Sequence, residues 1–165
     1  MEKVKMKIKI VSAGNDNVKY IYDVTNKNKS LYCSSHEGIE FKFVNLGGSE
    51  ISSKDCKTMK QKVILDELNN KDSDYVIWMD TDTYFNNFNK TFNEIIEKYP
   101  DKSLIVARDG GPLAYSPKEY LRTYSNSGVL VFKNDEISRE IISKWTKIPT
   151  EGQRCLNHIA QFLVD

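Results

Sequence analysis

The chain has 165 residues, 39% of them hydrophobic, and a net charge of +1. This length fits one globular domain of roughly 100 to 200 residues, and we expect a single domain over residues 1–165. The balanced charge argues against nucleic acid as a partner. No apolar run approaches the ~18 residues of a membrane span, and no signal peptide is evident. Three cysteines without a Cys-x-x-Cys pair favour a reducing compartment, so we expect a cytoplasmic protein without a membrane span.

Periodicity in the first half of the chain predicts alternating strands and helices. Lysines alternate with apolar residues over 3–10, which predicts a first strand followed by a loop of small residues at 12–15. A second strand is expected at 40–46. Apolar residues at helical spacing over 56–68 then predict a helix of about three to four turns. The apolar run at 75–79 predicts a buried strand.

The second half of the chain continues the alternation. The predicted elements are a helix at 88–99, a strand at 103–107, a short capped helix at 116–124, a strand at 129–132 and helices at 137–148 and 156–163. This alternation favours an α/β fold with a mostly parallel central sheet flanked by helices. Ligands of such sheets bind at the carboxyl ends of the strands. The segments 12–15, 80–82 and 108–111 should therefore lie along one edge of the sheet.

Two aspartates follow the buried strand at 75–79. Asp80 and Asp82 would share a face if strand pairing continued, or would converge through a turn just past the strand end. Two close carboxylates repel unless a cation lies between them, and oxygen ligands favour Mg²⁺ or Mn²⁺ over zinc. The alternative is a solvated turn, since Asp and Thr are common loop residues. Asp80 and Asp82 are thus candidate metal ligands.

The order of motifs resembles that of nucleotide-sugar glycosyltransferases with the GT-A fold. The resemblance covers residues 8–161 and rests on a helix with Lys60, on the strand ending Trp78-Met79-Asp80-Thr81-Asp82, and on the later run Asn126-Ser127-Gly128-Val129-Leu130-Val131-Phe132. An aromatic residue before Asp-x-Asp is typical of the galactosyl-, mannosyl- and xylosyltransferase group. The resemblance implies a Rossmann-like domain that transfers a hexose or pentose from a UDP-sugar, in preference to a GDP-sugar, to a glycan or glycoprotein acceptor.

The resemblance also implies roles for residues at the strand ends. Mn²⁺ or Mg²⁺ held by Asp80 and Asp82, with Asp82 as the direct ligand, would neutralise the donor diphosphate and assist its departure. The implied nucleotide-binding residues are Ser12, Ala13, Gly14, Tyr20, Lys60, Asp80 and Thr81, and the implied residues for donor sugar or acceptor are Arg108, Asp109, Gly110, Asn126, Ser127, Gly128 and Gln153.

Each of these roles has a plainer alternative. Tyr20 could be a half-buried structural tyrosine, and Lys60 a solvated lysine on a helix flank. Asp109 and the two glycines after it are also common turn chemistry. The segment 126–128 could be a loop that enters a strand.

The catalytic base is the point at which the sequence departs from the family. An inverting transferase needs a carboxylate near the acceptor hydroxyl, and Asp109 and Glu151 are the candidates. Relatives often carry an acidic residue directly before the position of Gln153, where this chain has Gly152. A retaining enzyme needs no such base, so the stereochemical course stays open. Relatives often continue into a further C-terminal segment that supplies a histidine ligand to the metal, and His158 does not match that segment. We therefore expect a minimal enzyme or a chain that lacks a C-terminal segment.

Two further interpretations stay open. Asp80-Thr81-Asp82-Thr83 after an apolar strand also fits the Asp-x-Asp-x-Thr motif of haloacid-dehalogenase-like phosphatases, in which Asp80 would be the nucleophile and Asp82 the acid and base. That family carries the motif near its N-terminus and a later acidic cluster that this chain lacks. The other interpretation is a noncatalytic nucleotide-sugar-binding module. Phosphatase activity would favour the first, and nucleotide binding without turnover the second.

Overall fold

The computed structural model describes residues 5–48, 53–108 and 125–147. The strands in these ranges are β1 (Ile8–Gly14), β2 (Ile39–Asn45), β3 (Tyr75–Met79), β4 (Leu104–Arg108) and β5 (Ser125–Lys133). The helices are α1 (Lys19–Ser34), α2 (Ser53–Asn70), α3 (Phe92–Ile96) and α4 (Glu136–Thr146), with a 3-10 turn at Asp16–Val18 before α1. The expected helices at 116–124 and 156–163 lie outside the described residues.

The strands form one sheet in the order β2-β1-β3-β5-β4. β1 pairs in parallel with β2 and β3, whereas β5 runs antiparallel to both β3 and β4. Four of the five described strands therefore point the same way, which confirms the expected α/β fold with a mostly parallel sheet. Because β5 is reversed, its first residues lie beside the carboxyl end of β3.

Both faces of the sheet are covered by helices. On one face Val76 and Trp78 of β3 pack with α2 and α4, where Ile64 and Trp145 are fully or almost fully buried. On the other face the remaining β3 residues pack with α1 and α3. All five residues of β3 are buried, as is usual for a central strand covered on both sides.

The first strand differs from its prediction. β1 begins at Ile8 and continues through Gly14, because its pairing with β2 extends to the Gly14 and Asn45 pair. Residues 12–14 are therefore strand rather than loop. Lys9 is buried, and its ammonium forms ion pairs with Asp72 and Glu67.

Two helices differ in length from their predictions. α2 has 18 residues, which is longer than the three to four turns expected. α3 has only five residues, because the Thr91 side chain accepts a hydrogen bond from the Glu94 amide and starts the helix there. Phe88, predicted in this helix, precedes it and packs edge-on against Tyr32. No helix among the described residues has the length and apolar character needed to cross a membrane.

Candidate functional site

The acidic turn, residues 80–83, begins directly after β3. The backbone oxygen of Asp80 accepts hydrogen bonds from the Thr83 amide at 3.1 Å and from the Thr83 hydroxyl at 2.6 Å. The chain therefore leaves the strand at once, and Asp80 and Asp82 belong to a turn rather than to one strand face. The turn itself agrees with the second of the two arrangements that the sequence allowed, and the convergence of the two carboxylates stays a prediction.

The carboxylate and the amide of Asp80 are held by three different elements of the fold. Its Oδ1 oxygen accepts a hydrogen bond from Trp78 Nε1 at 2.6 Å and lies 2.8 Å from the ammonium of Lys60. Its amide donates to the backbone oxygen of Gly128 at 2.8 Å. Contacts from β3, α2 and β5 thus fix both the backbone and the carboxylate of Asp80, which excludes a simple solvated turn at this residue.

Lys60 lies inside the site rather than on a solvated helix flank. Its side chain is 13% exposed, and besides contacting Asp80 it donates to the backbone oxygen of Ser127 at 3.0 Å. The ammonium also lies 5.2 Å from the ring centroid of Trp78, within the range of a cation–π interaction. Lys60 therefore joins α2 to the acidic turn and to the start of β5.

A second lysine, Lys29 of α1, lies under the acidic turn. It is fully buried, and its ammonium donates to the backbone oxygen of Asp80 at 3.0 Å and lies 3.5 Å from that of Thr81. The hydroxyl of Thr25, one helical turn earlier, donates to the same Thr81 oxygen at 2.5 Å. Burial lowers the pKa of Lys29 to about 8, with the negative charges of Asp82 and Asp80 acting in the opposite direction.

α1 also holds the segment that follows the acidic turn. The side chain of Asn28 bonds to both backbone polar groups of Phe85, accepting from its amide at 2.7 Å and donating to its carbonyl at 3.0 Å. The Phe85 ring stacks on Tyr32 with centroids 3.5 Å apart. Both sides of the acidic turn are therefore fixed to the body of the fold.

Asp82 contrasts with Asp80. It is exposed, and its carboxylate has no hydrogen bond or ion pair with any other described residue. The Oδ2 oxygen of Asp80 likewise has no such partner in these ranges, and it faces Gly128, where an added Cβ would lie 3.5 Å away. Free carboxylate oxygens suit a hard divalent cation. No cluster of three or more histidine, cysteine, aspartate or glutamate side chains that could hold a metal occurs in the described part of the chain.

The end of β1 packs against the acidic turn. The buried hydroxyl of Ser12 donates to the backbone oxygen of Met79 at 2.6 Å, so this side chain is used inside the sheet. An added Cβ at Gly14 would lie 2.8 Å from the Cγ2 atom of Thr81. Ala13 packs against the core. Tyr20 is 74% exposed on α1, which differs from the half-buried tyrosine considered above.

The start of β5 forms the other side of the site. Asn126 Oδ1 accepts a hydrogen bond from the Gly128 amide at 2.7 Å. The backbone oxygens of Ser127 and Gly128 accept from Lys60 and from the Asp80 amide. The segment 126–128 is the beginning of a strand beside the acidic turn, and it is not a separate loop.

The structure brings together many of the residues selected from the sequence. Those in direct contact around the acidic turn are Gly14, Lys60, Asp80, Thr81, Ser127 and Gly128. Arg108 ends β4 and pairs in register with Ser125. Asp109, Gly110, Glu151 and Gln153 lie outside the described residues. Lys29 and Thr25 were missed, because a lysine and a threonine on a polar helix give no local sign that they are buried.

No protein-family model matches the chain, and no curated protein matches its sequence. Solved structures do match its fold. A glycosyltransferase involved in the glycosylation of the major capsid of PBCV-1 superposes with a TM-score of 0.66 at 20% identity, over 88% of this chain and 68% of that one.

Two further structures show the same likeness. The galactosyltransferase LgtC, solved in complex with donor and acceptor sugar analogues, matches with a TM-score of 0.58 at 17% identity, over 94% of this chain and 70% of that one. The glycosyltransferase GlyE of Streptococcus pneumoniae TIGR4 matches with a TM-score of 0.51 at 15% identity, over 94% of this chain and 43% of that one. This chain therefore has the GT-A fold of these glycosyltransferases.

Proposed function

We propose that this protein is a metal-dependent glycosyltransferase that moves a hexose or pentose from a UDP-sugar to a hydroxyl of a glycan or glycoprotein acceptor. The observation that carries the proposal is the acidic turn, which lies at the carboxyl end of β3 and is held by lysines from two helices. The fold is shared with glycosyltransferases, one of which was solved with donor and acceptor sugar analogues. Fold alone does not specify an activity, so the chemistry of this turn has to support it.

The acidic turn has the groups that a nucleotide-sugar site needs. Asp82 and the free oxygen of Asp80 would hold Mn²⁺ or Mg²⁺, whose positive charge would stabilise the departing diphosphate. Lys60 would bind the diphosphate from the α2 side through its ammonium. Thr81 and the end of β1 at Gly14 lie in contact, and they would form the nucleoside side of the site. Asn126 and Gly128 would lie next to the transferred sugar.

The phosphatase alternative is less well supported by the fold than by the geometry of Asp80. A phosphoryl-accepting Asp80 needs a carboxylate oxygen free to attack phosphorus. Oδ1 of Asp80 accepts from Trp78 and pairs with Lys60, whereas Oδ2 is without a partner among the described residues and meets this requirement. The fold matches are to glycosyltransferases.

The test is a calorimetric titration of UDP and GDP in the presence of Mn²⁺, of Mg²⁺ and of a chelator. We expect UDP to bind with metal, GDP to bind more weakly, and Asp82→Ala to abolish metal-dependent binding. Asp101→Ala is the matched control, because Asp101 is an exposed aspartate that precedes β4. It therefore lies toward the amino ends of the parallel strands, away from the acidic turn. If neither nucleotide binds under any metal condition, the proposal is wrong and a phosphatase assay follows.

Turnover separates an enzyme from a binding module. NMR can detect the release of UDP from a panel of UDP-hexoses and UDP-pentoses, with and without glycan acceptors. We expect release by the wild type and none by Asp82→Ala. Tight UDP binding without release of UDP from any donor would favour the noncatalytic module instead.

A further inference from the structure

The ammonium of Lys60 forms an ion pair with Asp80 of the acidic turn. We propose that Lys60 neutralises Asp80 while no metal is bound, weakens binding of free metal, and thereby couples metal binding to diphosphate binding. The inference rests on the proposed function, which supplies the diphosphate as the second ligand. The proposed activity does not specify in which order metal and diphosphate bind, or how each affects the other.

The contacts of Lys60 show how it is held. Its Nζ atom lies 2.8 Å from Oδ1 of Asp80 and 3.0 Å from the backbone oxygen of Ser127, over the ring of Trp78 at 5.2 Å. A lysine ammonium has three N–H donors, so these two polar contacts leave one donor for another group. The side chain is only 13% exposed, which limits screening of its charge by water.

Free metal must compete with this ammonium for Asp80. A divalent cation drawn to the Asp80 carboxylate would bring two positive charges close to an ammonium already 2.8 Å from the same group. Like charges at such distances repel strongly where solvent screening is limited. Lys60 therefore lowers the affinity of the site for metal alone.

A diphosphate reverses this relation. Its negative charges give the ammonium a second anionic partner, and they also attract the metal. Lys60 can then turn from Asp80 toward the phosphate and leave the carboxylate to the metal. Metal and diphosphate thus strengthen each other's binding, and by linkage the factor is the same in both directions.

The chain offers a matched set of variants. Lys60→Met and Lys60→Gln remove the charge and keep much of the side-chain length, whereas Lys60→Arg keeps the charge. Lys9→Met is the control, because Lys9 is also a buried lysine paired with an aspartate, the exposed Asp72, although it pairs with Glu67 as well. Asp72 precedes β3 and Asp80 follows it, so the two pairs lie toward opposite ends of that strand. Urea denaturation shows that each variant is folded under the conditions of the binding experiment.

The first arm measures Mn²⁺ binding without nucleotide, from the loss of the EPR signal of the free ion. We expect Lys60→Met and Lys60→Gln to bind Mn²⁺ at least about fivefold more tightly than the wild type, because each removes a unit positive charge that repels the metal. Lys60→Arg and Lys9→Met should stay close to the wild type. Equal or weaker Mn²⁺ binding in both neutral variants, or no Mn²⁺ binding by any of these proteins, would overturn the counter-ion role.

The second arm measures UDP binding with a chelator and with saturating Mn²⁺. The dissociation constant with chelator divided by that with Mn²⁺ gives the coupling. This ratio should be several-fold smaller in the neutral Lys60 variants than in the wild type. An unchanged ratio would refute the coupling. If the wild type binds no UDP at all, the proposed function fails together with the coupling, while the first arm still decides whether Lys60 opposes free metal.

Discussion

The indole Nε1 atom of Trp78 donates a 2.6 Å hydrogen bond to Oδ1 of Asp80, two residues later in the chain. Trp78 is almost fully buried in β3, whereas the Asp80 side chain is 35% exposed. The bond therefore connects the core to the edge of the sheet where the acidic turn lies. An indole N–H only donates, so a carboxylate at this position satisfies the buried ring and is itself oriented.

Trp78→Phe tests this connection. The substitution keeps an aromatic ring in the core but removes the donor to Asp80, so we expect the free energy of unfolding to fall by about 1–3 kcal/mol. Urea denaturation of Trp78→Phe, Asp80→Ala and the double variant gives a double-mutant cycle, because alanine removes the acceptor that an asparagine would keep. A coupling energy of about 1 kcal/mol is expected for residues in direct contact. Strictly additive effects would show that the hydrogen bond does not contribute to stability.

Gly14→Ala tests the contact between β1 and the acidic turn. A Cβ at this position would lie 2.8 Å from Cγ2 of Thr81 and 3.3 Å from side-chain atoms of Tyr22 and Val18. We expect a loss of about 1–3 kcal/mol in the free energy of unfolding, because the added methyl group overpacks the site. Thr81→Ser removes the clashing methyl group, so the double variant should recover part of the loss. A double variant as unstable as Gly14→Ala would place the strain elsewhere.

The central part of the fold could be predicted from local sequence. Residues Tyr75–Met79 are all apolar, and a strand covered on both faces requires that pattern, so β3 was found with its correct bounds. The two aspartates that follow it could be recognised because the carboxyl end of such a strand is a usual place for a ligand. Their arrangement in a turn depends on Thr83, which the sequence left open.

The partners of the acidic turn could not be derived locally. That β5 runs antiparallel to β3, and so brings Gly128 to the Asp80 amide, depends on pairing between strands far apart in the chain. Lys29 lies on a helix with two other lysines, and only the packing of α1 against the sheet distinguishes it as the buried one. Strand order and helix packing are nonlocal, so periodicity alone does not contain them.

Cys33 should be unreactive in the folded protein. It is buried in α1, and burial raises the pKa of its thiol to about 12. Because the thiolate is the reactive form, we expect slow alkylation by iodoacetamide at pH 8 in buffer and fast alkylation in urea. Mass spectrometry of the peptide that contains Cys33 follows this residue separately from the other cysteines. Similar rates with and without urea would mean that the thiol is accessible in the native state.

Lys29 should give the unfolding free energy a distinctive pH dependence. Burial lowers its pKa from 10.5 to about 8, so between these values the unfolded chain holds a proton that the folded chain has released. Stability from this group is therefore greatest above pH 10.5 and is lost as the pH falls through 8. The difference in unfolding free energy between the wild type and Lys29→Met, measured with chelator, should rise between pH 8 and 10 by at most about 1.4 kcal/mol per pH unit. The thiol of Cys33 is present in both proteins, so its contribution cancels in this difference. A difference that is flat over this pH range would show that Lys29 keeps an ordinary pKa in the folded state.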